Sequence, residues 1–175
     1  MKIHAGPSGP EVISLQKEDS LLVFLNGSRE KMILGQIEVG SGVIPGGGGS
    51  VYLPLLAGRS RALEIIASSE DYDADTAERY GWINRAIPDK ELDDFVDRFA
   101  RRIASFDKKV LTEAKRLVNR SSPMPDDARL VAAEETFTRM LSWPETRARI
   151  AELIERGLQK PGDFELRLGQ HLGNE

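Results

Sequence analysis

Apolar positions recur with helical spacing over most of the chain beyond residue 50 and with strand-like spacing before it. Leu92, Phe95, Val96, Phe99 and Ile103 follow the i, i+3, i+4, i+7 pattern of an amphipathic helix, which Asp89 is placed to cap. Val110, Leu111, Ala114, Leu117 and Val118 predict a second helix near 108–119 that buries this stripe. Leu130, Val131, Phe137, Met140 and Leu141 predict a third helix over about 126–143. Pro144 either breaks that helix or opens a fourth at its first turn, lined by Ile150, Leu153, Ile154 and Leu158. Earlier, Arg59 to Ser69 carries Ala62, Leu63, Ile65 and Ile66 on one side. Asp73 is placed to cap a short helix through Tyr80 that Gly81 stops. Residues 82–87 read as a short extended piece closed by Pro88.

The first fifty residues lack this period. Ten of the sixteen glycines lie at or before Gly49. Glu11 to Gln16 and Leu21 to Leu25 are short β-type runs around a polar Lys17-Glu18-Asp19-Ser20, so a hairpin is expected, its second strand ending at Asn26-Gly27. Met32-Ile33-Leu34 predicts one more strand, and Gly40 to Ser50 a glycine-rich loop. Residues 121–125 read as a linker, and there is no internal repeat. The expected organisation is α/β, with strands in residues 10–55, a first region at 1–58 and a helical region at 59–175.

Composition narrows the chemistry. The chain has 175 residues, 40% apolar and 30% charged, the balance of a globular protein. No run approaches the ~20 apolar residues of a membrane helix, and residues 1–10 carry no apolar signal region. A cytoplasmic location is expected. There are no cysteines, so disulfides, thiol catalysis and cysteine metal sites are excluded. Only His4 and His171 are available, which disfavours a histidine triad or a multi-histidine metal site. The net charge of −4 argues against general nucleic-acid binding. Carboxylates and backbone amides remain.

Three features can carry such chemistry. Pro45 to Ser50, glycine-rich ahead of a helical region, presents backbone N–H groups suited to an anion or a polarised oxygen. No lysine follows as in a P-loop, the spacing is not a dinucleotide fingerprint, and alone the run reads as a flexible loop. Glu38, between apolar neighbours just before it, is either a satisfied surface glutamate or a general base with a raised pKa. Between Arg98 and Arg120 stand eight Lys/Arg, among them Arg101, Lys108, Lys109 and Lys115, against Asp107 and Glu113. They form either solvated helix faces or a phosphate-attracting patch. The acidic Glu70, Asp71, Asp73 and Asp75 lack an EF-hand pattern, and helix capping explains Asp73 and Asp75.

Taken in order, these segments resemble the crotonase superfamily, the enoyl-CoA hydratases and isomerases. The resemblance is carried by Leu34-Gly35-Gln36-Ile37-Glu38, by Gly42-Val43-Ile44-Pro45-Gly46-Gly47-Gly48-Gly49-Ser50, and by Leu53-Pro54. It continues through Leu56 to Glu64 and Asp73 to Pro88, covering residues 29–120 closely. It implies a ββα-spiral core, helical elements that assemble trimers, and acyl-CoA thioester substrates with no cofactor beyond the coenzyme A they carry. The implied chemistry is stabilisation of a thioester enolate by two backbone N–H groups. Glu38 matches the second of two glutamates that flank a water in the hydratases, and Gly46 the glycine whose backbone helps hold that water. Arg101, Lys108, Lys109 and Lys115 are the candidates for the CoA phosphates.

The pattern also departs from its family. About 27 residues precede Ser28-Arg29-Glu30-Lys31, where the family has a long half bearing both oxyanion positions and the first glutamate. Leu55 stands where the family commonly has arginine after Leu-Pro. The chain is therefore expected to have impaired activity, or to act as a non-catalytic assembly subunit. A homo-oligomer, a trimer or dimer of trimers, is expected, with a full-length paralogue as the alternative partner. Its partner surface would cover Leu130, Val131, Phe137, Met140, Leu141, Ile150, Leu153 and Ile154.

Overall fold

The computed structural model describes residues 2–4, 11–15, 22–122 and 125–173. It is a mixed α/β chain that divides into two compact units, residues 1–32 with 73–124 and residues 33–72 with 125–175.

In the first unit, strands β1 (Lys2–His4), β2 (Glu11–Leu15) and β3 (Leu22–Ser28) form an antiparallel meander, so the expected hairpin is present. The turn at 17–20 lies outside the described residues. β3 does not end at Asn26-Gly27 but runs on to Ser28. The reason is a partner remote in sequence: β6 (Arg85–Ile87) pairs in parallel with Asn26, Gly27 and Ser28. The sheet order is β1-β2-β3-β6. Arg29 fastens the end of β3, since its N–H donates to Ile87 O (2.8 Å), its Nη2 to Ala86 O (3.0 Å) and its Nε to Asp75 (3.0 Å).

Helix α3 (Ala74–Tyr80) begins and ends as expected. The Asp73 carboxylate accepts from Thr76 N at 2.7 Å, and Gly81 closes it in a left-handed conformation. Helix α4 (Asp89–Ala104) carries its apolar face in the core, with Leu92, Val96 and Ala100 buried. Leu92 and Val96 cluster with Ile87, and Phe95 and Phe99 pack against them. The expected Asp89 cap is corrected: Pro88 holds the N-cap position without a side-chain bond. Glu30 instead accepts from Asp89 N at 2.8 Å, and the Asp89 carboxylate pairs with Lys31. Lys31 and the Ser28 hydroxyl hold that carboxyl below its usual range.

Helix α5 (Lys108–Ser121) is capped by Asp107, which accepts from Lys109 N and Val110 N. The expectation that it buries its stripe is wrong: no α5 residue is buried, and Val110 is 67% exposed. Periodicity defines an apolar face without supplying anything to cover it.

The second unit starts with β4 (Ile33–Gly35), which forms a two-stranded sheet with β5 (Asp71–Asp73). Helix α1 (Gly49–Ala57) grows out of the glycine run, and α2 (Arg59–Ser68) follows at Gly58. Helix α6 (Asp127–Met140) is capped by Asp126. Pro144 opens α7 (Pro144–Arg156), which settles the two readings of that proline. Short helices α8 (Asp163–Leu166) and α9 (Leu168–His171) turn the chain back. Leu153, expected to need a partner chain, is 2% exposed beneath Leu168 and Leu172 of its own chain. Asp71 holds this return, its carboxylate accepting from Gly169 N (3.2 Å) and Gln170 N (3.1 Å). Among the described residues no helix is long and apolar enough to cross a membrane.

Candidate functional site

Glu38 lies in a tight turn between β4 and the glycine run. Its carbonyl accepts from Ser41 N (3.0 Å) and Val43 N (2.9 Å), and Gly42 N reaches Val39 O (3.0 Å). Three side chains from other elements clamp this turn. Ser69 Oγ accepts from Gly40 N at 2.8 Å, Arg149 Nη1 donates to Gly40 O at 3.0 Å, and Thr146 Oγ1 donates to Gly42 O at 2.8 Å. Ser69 and Thr146 are buried. Ser69 holds a left-handed backbone (φ 54°), a conformation costly for a non-glycine residue that the Gly40 contact helps retain.

The Glu38 carboxylate is half-buried, and its Oε2 is enclosed with no hydrogen-bond partner. Burial pushes its pKa above the usual carboxylate value. A carboxylate so placed holds a proton more readily than one in water, which is what a general base needs. Nearby in the chain, the Gln36 amide carbonyl is likewise enclosed without a partner. A Cβ at Gly49 would meet that oxygen at 1.9 Å, so α1 starts on a residue without a side chain because Gln36 fills the space.

Gly46 sits under the ring of Phe137 from α6. A Cβ there would stand 2.6 Å from Phe137 Cβ and 2.7 Å from Cγ. Gly46 also borders an open cleft of about 520 Å³ formed with Tyr52, Leu130, Val131, Glu134 and Glu135. Glu38 is not among the residues lining it. Glu38 and Gly46 thus belong to one unit.

The basic candidates belong to the other. Arg101 closes α4 and is engaged by Asp97 at 2.7 Å, which raises its pKa. Lys108 and Lys109 are exposed in the first turn of α5. Lys115 lines a shallow cleft of about 360 Å³ with Thr112, Arg116, Asn119 and Arg120. The acidic cluster is dispersed among structural tasks: Asp73 caps α3, Asp71 holds α9, and Asp75 pairs with Arg29. Among the described residues no group of His, Asp and Glu is arranged to hold a metal.

The clamps on Gly40 and Gly42 and the Phe137 contact had no sequence signal. The clamping side chains lie between 29 and 109 residues from the backbone atoms they hold, and Phe137 is as remote from Gly46, its only trace being its place in the apolar stripe of α6.

Comparison with known proteins identifies the family. The family model for enoyl-CoA hydratase/isomerase matches residues 28–160. A short-chain-enoyl-CoA hydratase of Clostridium acetobutylicum is 30% identical over 122 residues, covering 70% of this chain and 47% of its own length. A crotonyl-CoA hydratase of Syntrophomonas wolfei is 39% identical over 71 residues, 41% of this chain and 27% of that protein. Among solved structures, a proposed enoyl-CoA hydratase from Streptomyces avermitilis superposes with a TM-score of 0.81 at 45% identity, covering 86% of this chain and 54% of that one. The chain spans about half or less of the length of the relatives it matches. With the family model spanning the Glu38 turn, the glycine run and α1 to α7, the chain belongs to the enoyl-CoA hydratase/isomerase family of the crotonase superfamily.

Proposed function

We propose that the chain handles acyl-CoA thioesters in the manner of an enoyl-CoA hydratase/isomerase, with Glu38 as general base and the Gly46 backbone positioning a water. The observation that carries this reading is the enclosed, unpartnered Oε2 of Glu38, whose burial raises its pKa. A buried polar atom left without a partner is costly unless a ligand or water completes it. Acid–base assistance of this kind is worth about 10²–10⁴ in rate. The 175 residues on their own are proposed to turn over little. They hold one glutamate of the family's pair and no match to its oxyanion positions, and each missing donor costs about 10²–10³. No cofactor beyond the substrate's coenzyme A and a cytoplasmic role in fatty-acid metabolism are part of the same reading.

The test is loss of enoyl absorbance from crotonyl-CoA, with wild type beside Glu38→Gln. Near-background wild type, unchanged in the variant, is the expected result. Robust hydration lost in Glu38→Gln would overturn the low-turnover part while keeping the role of Glu38. Robust hydration retained in the variant would remove both.

Arg101, Lys108, Lys109 and Lys115 are proposed to meet the CoA phosphates, with Lys115 best supported because it lines a cleft beside Arg116 and Arg120. Exposed charge is screened within about 8–10 Å at physiological salt, so binding is expected to be weak and salt-sensitive. Calorimetry showing tight CoA binding indifferent to added salt would contradict this.

A specific observation favours a second role, as an assembly subunit through the helical region 59–175. Phe106, Val110, Leu117 and Val118 are 49%, 67%, 59% and 64% exposed along α5 and its approach. An apolar stripe of this kind marks an interaction surface. We propose that it self-associates, as a trimer or dimer of trimers, or pairs with a full-length paralogue. A monomer by light scattering at micromolar concentration that also fails to capture such a paralogue would sink this reading.

A further inference from the structure

The turn that carries Glu38 is closed by its own backbone, but its position is set by side chains from elsewhere in the chain. Within the turn, Ser41 N and Val43 N donate to Glu38 O, and the buried Ser41 hydroxyl donates to Ile37 O at 3.1 Å. These bonds fix the shape of residues 37–43, not the surroundings that the Glu38 side chain meets. Remote groups do that. Ser69, the left-handed residue that closes α2, accepts from Gly40 N. Thr146 in the first turn of α7 donates to Gly42 O, and Arg149, about one turn later, donates to Gly40 O. Side chains thus hold both backbone polar groups of Gly40. Gly42 lies at φ 88°, and a Cβ there would already touch Thr146 Oγ1 at 3.4 Å, so α7 and the turn are in van der Waals contact.

Glu38 needs such a tether. Its Oε2 is enclosed without a partner, which is costly for a charged carboxylate, and a free turn would let the side chain swing into water. We propose that the buried hydroxyls of Thr146 and Ser69 are positioning groups for Glu38, holding its turn against α7 and the end of α2 so that the carboxylate stays enclosed. The proposal rests on the reading of Glu38 as a general base. Burial raises the pKa of that carboxyl and the bond to its own backbone N–H lowers it; among the described residues no charged side chain contributes. Arg149 is the charged side chain bonded to the turn, through the Gly40 carbonyl. The hydroxyls therefore act on Glu38 through geometry, by keeping water away from it, and not through charge.

The experiment is a pH titration of the Glu38 side-chain carboxyl by carbon NMR of the full chain, which needs no turnover. Wild type should titrate above the ordinary value. Thr146→Val removes the hydroxyl at similar volume and should bring the Glu38 pKa back toward the ordinary value by about half a pH unit or more. Amide exchange at Gly40 and Val43 should quicken in the same variant. Thr146→Ser keeps the hydroxyl and should restore the wild-type titration. Asp73→Ala, which removes a helix cap in the other unit, should lower stability and leave Glu38 where it was. A raised Glu38 pKa that Thr146→Val leaves unchanged would overturn the proposal. An equal shift in Asp73→Ala would overturn it too, since general loosening would then suffice. Where Thr146→Val does not fold, Ser69→Ala takes its place, with the same shift expected and the same null result decisive against the proposal. An ordinary value in wild type is a different failure: it removes the general-base reading, and the positioning role with it.

Discussion

Helices α5 and α7 have apolar positions at the same spacing and similar lengths, yet they end in opposite situations. On α7, Leu153 is 2% exposed because the chain returns through Leu168 and Leu172 to cover it, tied down by Asp71. On α5, Leu117 and Val118 are 59% and 64% exposed. Both helices are properly started, α5 by the Asp107 cap and α7 by Pro144 at its first turn. Local signals therefore built both helices equally well. What differs is non-local: whether some later segment returns to the stripe. An apolar face is a demand for cover, and only the fold says whether that demand is met within the chain.

The largest expected effect breaks the covered member. Leu153→Ala should destabilise by about 2–5 kcal/mol, the usual cost of truncating a leucine in a packed core. Leu117→Ala on α5 should change the stability of the dilute chain by less than about 0.5 kcal/mol, as for a surface site. Denaturant titration of both variants at two protein concentrations checks the contrast. A large Leu117→Ala cost that grows with concentration would mean that a partner chain covers α5, sharpening the assembly reading.

Much of this contrast was invisible in the sequence for a definable reason. The Asp73 cap and the Gly81 stop were legible because cap and capped atom are three residues apart. The Asp89 cap does not form because Glu30, 59 residues away, takes the Asp89 N–H. β3 outran its expected end because its last residues pair with β6. Helix α1 was not foreseen as a separate element, since glycine at its start and Pro54 within it weaken every local signal. At the candidate site, motif order singles out Glu38 and Gly46 as candidates, whereas Ser69, Thr146 and Arg149, which hold the Glu38 turn, are set by packing alone.

The next effect tests packing at the site. Gly46→Ala forces its new methyl into Phe137, and overpacking of this kind costs about 1–3 kcal/mol. Removing Cγ and the ring in Gly46→Ala/Phe137→Ala should recover part of the loss, so the two changes are non-additive. Additive losses in a double-mutant cycle would show that Phe137 does not limit the space at Gly46.

Asp73→Ala probes a purely local contribution, about 1 kcal/mol for a lost N-cap. Its sign with pH follows from the hydrogen bonds of Thr76, which hold the Asp73 carboxyl below its usual value. A depressed folded-state pKa contributes stability that is present above the unfolded value of roughly 3.9 and lost as pH falls through the folded one. The gap between wild type and variant should therefore close in acid. A gap that stays constant down to the lowest pH at which the chain is folded would mean that the carboxylate charge is not what caps α3.

The smallest effect has the opposite sign and separates the site from the scaffold. Burial raises the Glu38 pKa, so the folded state favours its protonated form. Whatever stability this contributes is fully present below the unfolded glutamate value of roughly 4.3 and is lost as pH rises through the higher folded pKa. At neutral pH the charged carboxylate is therefore a burden on the fold, with Oε2 enclosed and unpartnered. Glu38→Gln removes that charge at nearly constant shape. The variant should be slightly more stable than wild type at neutral pH, with the advantage shrinking as pH falls. Asp73→Ala loses stability at neutral pH, while Glu38→Gln gains it, as expected of a group retained for chemistry and not for folding. Thermal melts of the two variants between pH 4 and pH 8 decide the point. A Glu38→Gln variant less stable than wild type at neutral pH would show that the carboxylate is a structural anchor of its turn, which would take away the physical basis for assigning it as a base.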